Sequence, residues 1–405
     1  MRILYLHQHF STPAGAAGTR SFALAGALAA RGHAVTIACG QYAGAATGLS
    51  GPFRQGRREG LVGGCEVVEF AIPCGNAQGL PARAAAFLRY AGRATRLALA
   101  QPWDLIIASS TPLTVALPAL AARRRHGTPF LFEIRDPWPE LPRAMRVGPP
   151  WLWRAMDRLA DAACRQAAAV VALSEGMAAT ALAHGARPEA VAVIPNGCDL
   201  DLFGPHVAPW RPAGIGRDRL LAVYAGAHGR ANGLGQLLQA AARLQADGAP
   251  VTLVLVGTGG EKPALVTAAA AAGLHNLRFL DPLPKARLAR LLAGSEVGLQ
   301  CLAPVPGFAE WTAPNKLMDY LAAGLPVVAN LEGRAAQLLA GEGFGPCGIA
   351  TPPGDPLALA AALARLARHP AERAAMAVAA RAQAERHWDR RLLAARCCAV
   401  AEAAA

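Results

Sequence analysis

Short apolar runs of strand length alternate with helical patterns along nearly the whole chain, and that alternation leaves few folds open. Residues 2–7 read as a buried strand, a glycine-rich loop with Gly15 and Gly18 follows, then a helical pattern over 21–31 and a second strand over 34–39. Strand, helix and strand in that order predict a βαβ unit and therefore a parallel sheet. Further strands are expected at 66–72, 105–109, 129–134 and 170–173. A second series holds strands at 220–224, 252–256, 277–280, 297–300 and 326–329, with a helix over 234–246. Between the two series, residues 204–219 contain three prolines and three glycines, which suits an interdomain linker. The last stretch, 371–405, reads as helical.

At 405 residues the chain exceeds the ~250–300 at which a single hydrophobic core stops growing. The expected fold is α/β: two Rossmann-like domains facing across a cleft, with ligands at the carboxyl ends of their strands. The domains are expected at 1–205 and 206–385, followed by a helix over 386–405.

The formal net charge is +13, with 20 basic and 13 acidic residues in 1–205 and 20 and 14 in 206–405. The excess is spread, there is no basic tail, and neither zinc-finger spacing nor interleaved basic and aromatic residues occur, so nucleic acid is not an expected partner. Phosphate-bearing substrates and an anionic membrane surface fit the charge better. The nine cysteines form no CxxC pair and several stand inside apolar runs, as reduced core thiols do. The N-terminus runs straight into a strand, and no apolar stretch reaches the ~18 residues of a membrane span, so a cytoplasmic location is expected. Residues 81–101 carry Arg83, Arg89, Arg93 and Arg96 and no acid, with Arg123, Arg124 and Arg125 further on. They read either as solvated helix faces or as a patch that rests on an anionic bilayer.

Residues 312–328 carry the strongest chemical pattern. Pro314 and Asn315 suit a helix start, and Gly324 with Pro326 its end. The free N–H groups of a helix N-terminus can hold a diphosphate; Lys316 adds a charge there, and Asp319 on the same face could accept from ribose hydroxyls. The same residues also fit an ordinary capped helix with an internal Lys316–Asp319 pair. His7 and His9 end the first strand, as acceptor contacts or as packed histidines. Glu133 and Glu140 are candidates to orient Arg135 or substrate, with capping the alternative for Glu140. Asp199-Leu-Asp201 spells a DxD, but in a loop, and no metal is expected.

The 312–328 segment resembles the donor-binding helix of the retaining glycosyltransferases of family 4, also called group 1. Residues 13–20 resemble the family's first glycine-rich loop, and Arg31-Gly-His-Ala-Val35 resembles its RGHxV stretch. Ile194-Pro-Asn-Gly-Cys-Asp199 resembles its IPNGxD motif, and Leu255-Val-Gly257-Thr-Gly259 its LVGxG motif. These motifs stand in family order along most of the chain. Residues 132–140 resemble a subset of bacterial envelope-polysaccharide transferases, including those that move amino-sugars such as fucosamine.

The resemblance implies a GT-B fold and an NDP-sugar held by the C-terminal domain, with no cofactor or required metal; a UDP-linked donor is expected. It further implies an envelope glycan or polyprenyl-linked acceptor held by the N-terminal domain, retention of anomeric configuration, and a last helix that returns to that domain. Carried over residue by residue, the donor contacts are Gly15, Gly18, Gly257, Pro314, Asn315, Lys316 and Asp319, and the catalytic group keeps Asp136. Arg230, with His228 behind it, is the substitute candidate for the family's diphosphate-binding pair. Arg135 stands in the catalytic group in place of a histidine, and Glu310 takes the sugar-contacting role only with a shift of one residue. Three departures stand out: Trp311 fills the slot of the family's first acidic residue, Asn232 that of a lysine, and Arg135 that of a histidine, which leaves no base there. Those departures keep open a non-catalytic sugar-nucleotide-binding partner of a glycan assembly complex; an NDP-sugar 2-epimerase is a further alternative.

Overall fold

The computed structural model describes residues 1–75, 78–305, 307–311, 315–341 and 343–405. The chain divides into two compact units, residues 1–196 with 310–313 and 391–405, and residues 197–309 with 314–390.

The first unit contains β1 (Arg2–Leu6), β2 (Ala34–Tyr42), β3 (Arg57–Val62), β4 (Cys65–Cys74), β5 (Leu105–Ser109), β6 (Phe130–Ile134), β7 (Ala169–Ala172) and β8 (Val191–Val193). They form one eight-stranded sheet in the order β3-β4-β2-β1-β5-β6-β7-β8. The pairs are parallel except for the edge hairpin β3–β4. That hairpin turns on Gly63 and Gly64 at φ 59° and 82°, the left-handed pair a two-residue hairpin loop demands. Its edge strand alternates exposed and half-buried residues and was not anticipated from the sequence.

Helices α1 (Arg20–Ala30), α2 (Leu80–Leu99), α3 (Ala116–His126), α4 (Glu140–Ala144), α5 (Pro150–Gln166) and α6 (Glu175–Ala183) accompany this sheet. Alanines do much of the packing: Ala86, Ala94 and Ala98 of α2, and Ala119 and Ala122 of α3, share a cluster with Leu4, Leu6 and Phe130. Small side chains let helices close down on the sheet without voids. On another core cluster, Ile3, Tyr5 and Leu28 pack with Leu393, Cys397 and Ala401 of the final helix. Arg31 Nη1 donates to Glu402 at 2.7 Å and His33 Nε2 lies 3.0 Å from the same carboxylate, so the RGHxV stretch anchors that helix.

The second unit contains β9 (Leu220–Ala225), β10 (Val251–Val256), β11 (Leu277–Leu280), β12 (Val297–Gln300), β13 (Val327–Ala329) and β14 (Gly348–Ala350), in the parallel order β11-β10-β9-β12-β13-β14. Its inner strands β10, β9, β12 and β13 are short and almost wholly buried, as in a sheet covered on both faces, while the edge strands β11 and β14 are partly exposed. The helices that follow along the chain are α7 (Gly235–Ala246), α8 (Lys262–Ala271), α9 (Lys285–Ala293), α10 (Phe308–Trp311), α11 (Asn315–Ala322), α12 (Gly333–Ala340), α13 (Pro356–Arg368) and α14 (Pro370–His387); α15 (Arg390–Ala404) is the final helix, which from residue 391 groups with the first unit. Residues 197–205, expected with the first domain, group with this unit. Arg390 Nε donates to Asp199 at 2.6 Å, which commits the first carboxylate of the DxD to an ion pair. All nine cysteines are buried thiols, none of them in a disulfide. No helix among the described residues is long and apolar enough to cross a membrane.

Candidate functional site

In the second unit the strand order changes direction between β9 and β12, which opens a crevice at their carboxyl ends. The chain leaves β9 through Gly226 and reaches His228 against the loop that follows β10. A Cβ on Gly257 would fall 1.9 Å from the Gly226 carbonyl oxygen, and one on Gly259 would fall 2.3 Å from that of His228. Gly257 also has φ 145°, so the LVGxG glycines serve close backbone approach.

Lys316, in the first turn of α11, donates to Tyr224 Oη at 2.9 Å and to Asn232 Oδ1 at 3.2 Å, with its ammonium 4.3 Å from the Tyr224 ring centroid. Burial draws its pKa down to about 8. The internal Lys316–Asp319 pair does not form. Lys316 reaches β9, while Asp319 Oδ2 accepts from Lys285 Nζ of α9 at 2.5 Å. Asn232, in the family's lysine slot, is therefore an acceptor for Lys316.

Several buried polar atoms near these strand ends lack partners: both ring nitrogens of His228, both amide atoms of Gln300, Asn315 Oδ1 and Asp319 Oδ1. Burial, reinforced by Lys262 and Lys316, lowers the His228 pKa to about 4, so its ring is neutral at pH 7, with one donor and one acceptor nitrogen. Arg230 is exposed on the short turn Arg230–Asn232. Pro314 lies outside the described residues.

In the first unit the corresponding reversal falls between β1 and β5. His7 Nδ1 lies 3.4 Å from the Ser109 carbonyl oxygen, and its Nε2 accepts from Arg135 Nη1 at 2.8 Å. Burial, Arg135 and His9 push the His7 pKa well down, consistent with a neutral ring protonated at Nδ1. Arg135 N donates to Ser110 Oγ at 3.1 Å, and Thr111 Oγ1 donates to Asp136 Oδ2. Burial raises the Asp136 carboxyl above the usual range, with Thr111 and Arg135 opposing. His9 stacks on Tyr42 at 4.2 Å, and its Nε2 has no partner.

Neither candidate glutamate holds Arg135 by a hydrogen bond. Glu133 accepts from Arg20 Nε at 2.8 Å and from Ser109 Oγ at 2.5 Å; burial pushes its pKa up, but Arg20 and Arg135 outweigh that and leave it low. Arg20 also donates to the carbonyls of Ile194 and Pro195, tying the IPNGxD segment to α1. Glu140 lies 2.8 Å from His184 Nε2, whose Nδ1 is 2.7 Å from Asp161; hydrogen bonding to Glu140 raises the His184 pKa. The cavity beside Asp136, Trp138 and His184 is about 10 Å³, room for about one water and not for a sugar.

Gly15 is buried where a Cβ would meet Ser11 Oγ at 2.4 Å, and Gly18 is half-buried just before α1. Glu310 groups with the first unit; it is exposed, and its carbonyl accepts from Ser174 Oγ at 2.8 Å. Among the described residues no cluster of three or more His, Cys, Asp or Glu could hold a metal ion. Of the basic stretch, Arg93 donates to the Gln55 carbonyl and Arg83 lies over Phe87, while Arg89, Arg96, Leu88 and Arg123 to Arg125 are exposed.

Two parallel α/β units, each with polar side chains gathered where its strand order reverses, define a sugar-transferring protein of the GT-B fold. Residues 15–197 match the glycosyl transferase 4-like domain and residues 219–369 match the glycosyl transferases group 1 model. The chain belongs to the group 1 glycosyltransferases. No curated protein matches the sequence. Among solved structures it is similar to a sucrose-phosphate synthase from Thermosynechococcus elongatus, at 18% identity over 98% of this chain and 97% of that one, with a TM-score of 0.74. It is also similar to Anabaena HepE in complex with UDP-glucose, at 21% identity over 99% and 98% of the two chains, with a TM-score of 0.66. WaaG, a glycosyltransferase involved in lipopolysaccharide biosynthesis, shares 17% identity over 98% and 99%, with a TM-score of 0.69. At these identities the likeness is one of fold.

Proposed function

We propose that the protein is a retaining transferase that moves an N-acetylated sugar from a UDP-linked donor to an envelope polysaccharide or lipid-linked acceptor. The observation that carries this reading is the Lys316 ammonium at the reversal of the second sheet, beside a neutral His228 whose ring nitrogens both lack partners. UDP-glucose in HepE supports the choice of donor, and the 132–140 segment supports the amino-sugar.

Breaking a glycosyl–phosphate bond leaves an oxocarbenium-like sugar and a diphosphate of growing negative charge. Preorganised donors aimed at that charge are the main lever on the barrier. Lys316, the His228 N–H and the N–H groups opening α11 take the diphosphate, with exposed Arg230 able to swing onto it. Asp319 takes the ribose. Asp136 and Arg135 orient the acceptor in the first unit; Arg135 is a cation and His7 is already its acceptor, so neither serves as base. The leaving phosphate then receives the acceptor hydroxyl proton as the new bond forms on the same face. Arg89, Arg96 and Leu88, with Arg123 to Arg125, hold the protein to an anionic membrane surface on the cytoplasmic side.

Calorimetric titration with UDP, GDP and ADP, without metal and then with magnesium, tests the reading. UDP is expected to bind most tightly and without metal. Failure of every nucleotide to bind in both conditions overturns the transferase reading and leaves the non-catalytic partner.

A further inference from the structure

We propose that Lys285 is a positioning residue of the donor site: it holds one oxygen of Asp319 and thereby aims the other at a ribose hydroxyl of the nucleotide. The inference rests on the donor-site reading above. Lys285 opens α9, its side chain is buried, and its ammonium lies 2.5 Å from Asp319 Oδ2 and 5.5 Å from the Phe203 ring centroid. Two charges taken out of water are costly, and an apolar pair of the same volume is commonly as stabilising, so packing alone gives little reason for this pair.

The carboxylate is also only half used. Oδ1 is buried and has no partner, an arrangement that costs free energy until a donor arrives. An ionised carboxylate oxygen accepts only, which suits a hydroxyl and repels a phosphate. Asp319 stands three residues beyond Lys316 on α11, about 4.5 Å along the helix axis. A diphosphate at Lys316 therefore brings the sugar attached to it toward Asp319. The other titratable groups that Asp319 acts on, Cys198 and Tyr320, stay neutral: burial first, and Asp319 second for Cys198, push the thiol up to about 12. Burial likewise raises the Tyr320 hydroxyl.

Titration calorimetry with UDP and with its dideoxyribose analogue separates positioning from mere folding. The wild type is expected to prefer UDP by about ten- to hundred-fold, the range of a hydrogen bond to a charged group. Lys285→Met is expected to lose that preference while binding the analogue as the wild type does. Asp319→Asn loses it too, and adding Lys285→Met to Asp319→Asn is expected to change the preference no further, the double variant itself leaving no unpaired buried charge. Retention of the full preference in Lys285→Met, or additive losses in the double variant, overturns the proposal alone. A wild type that binds neither nucleotide overturns the donor-site reading with it.

Discussion

The two sheet reversals differ in how their polar groups are settled. At β1/β5, His7 meets Arg135, Thr111 meets Asp136, and Glu133 is held by Arg20 and Ser109, while Tyr5 Oη, Gln8 and His9 Nε2 are among the atoms left without a partner. At β9/β12, by contrast, His228, Gln300, Asn315 and Asp319 keep buried atoms without partners, and Lys316 carries a depressed pKa. A satisfied network rigidifies a scaffold, whereas an unsatisfied one is completed by a ligand. On the function proposed above, the first arrangement serves mainly as a frame and the second as the place where a polar ligand completes the hydrogen bonding.

The largest effect is expected from Arg20→Met, which strands a buried Glu133 carboxylate. Stability should fall by about 3–5 kcal/mol in denaturant titration, with UDP affinity unchanged at temperatures where the protein stays folded. Loss of UDP binding with unchanged stability would reverse the assignment of roles. Lys316→Met should do the opposite, lowering kcat/KM by about 10²–10³-fold with little change in melting temperature.

The pH dependence sharpens the same contrast. Burial draws the Lys316 pKa down to about 8, and the negative charge of a diphosphate beside it is expected to raise it. Binding therefore takes up a proton, and UDP affinity should fall several-fold between about pH 8 and 9 while holding steady below about 7. Calorimetry in buffers of different ionisation enthalpy reads the uptake directly; a flat affinity across that window would remove Lys316 from the site. The smallest effect concerns α2: each of Arg89→Gln and Arg96→Gln should weaken binding to anionic vesicles by about 1 kcal/mol, read by co-sedimentation, with neutral vesicles unaffected.

Much of the fold was legible because both sheets are built from apolar runs: the strands expected at 105–109, 277–280 and 297–300 coincide with β5, β11 and β12. Strand β3 escaped notice because its alternation is carried by arginines and a glutamate, although the Gly63–Gly64 pair beside it was the available signal. Strands β8 and β14 are three residues each, too short for a period to show. At the candidate site, Lys316 and Asp319 stood out beside a helix start. Lys285 did not, because it is 34 residues from Asp319 in the chain and meets it only once α9 and α11 have taken their places in the fold. Gln300 carried no signal either: a glutamine closing an apolar strand looks like any strand end until its amide proves buried and unpaired. Glu133 misled for the same reason, since its partner Arg20 lies 113 residues away.

The central claim is that the unpaired polar groups at β9/β12 receive the donor. A crystal structure of the complex with UDP tests it most directly. The account predicts diphosphate oxygens within hydrogen-bond distance of Lys316 Nζ and a His228 nitrogen, and a ribose hydroxyl on Asp319 Oδ1. UDP bound elsewhere, with His228 and Asp319 Oδ1 still unpaired, would contradict it.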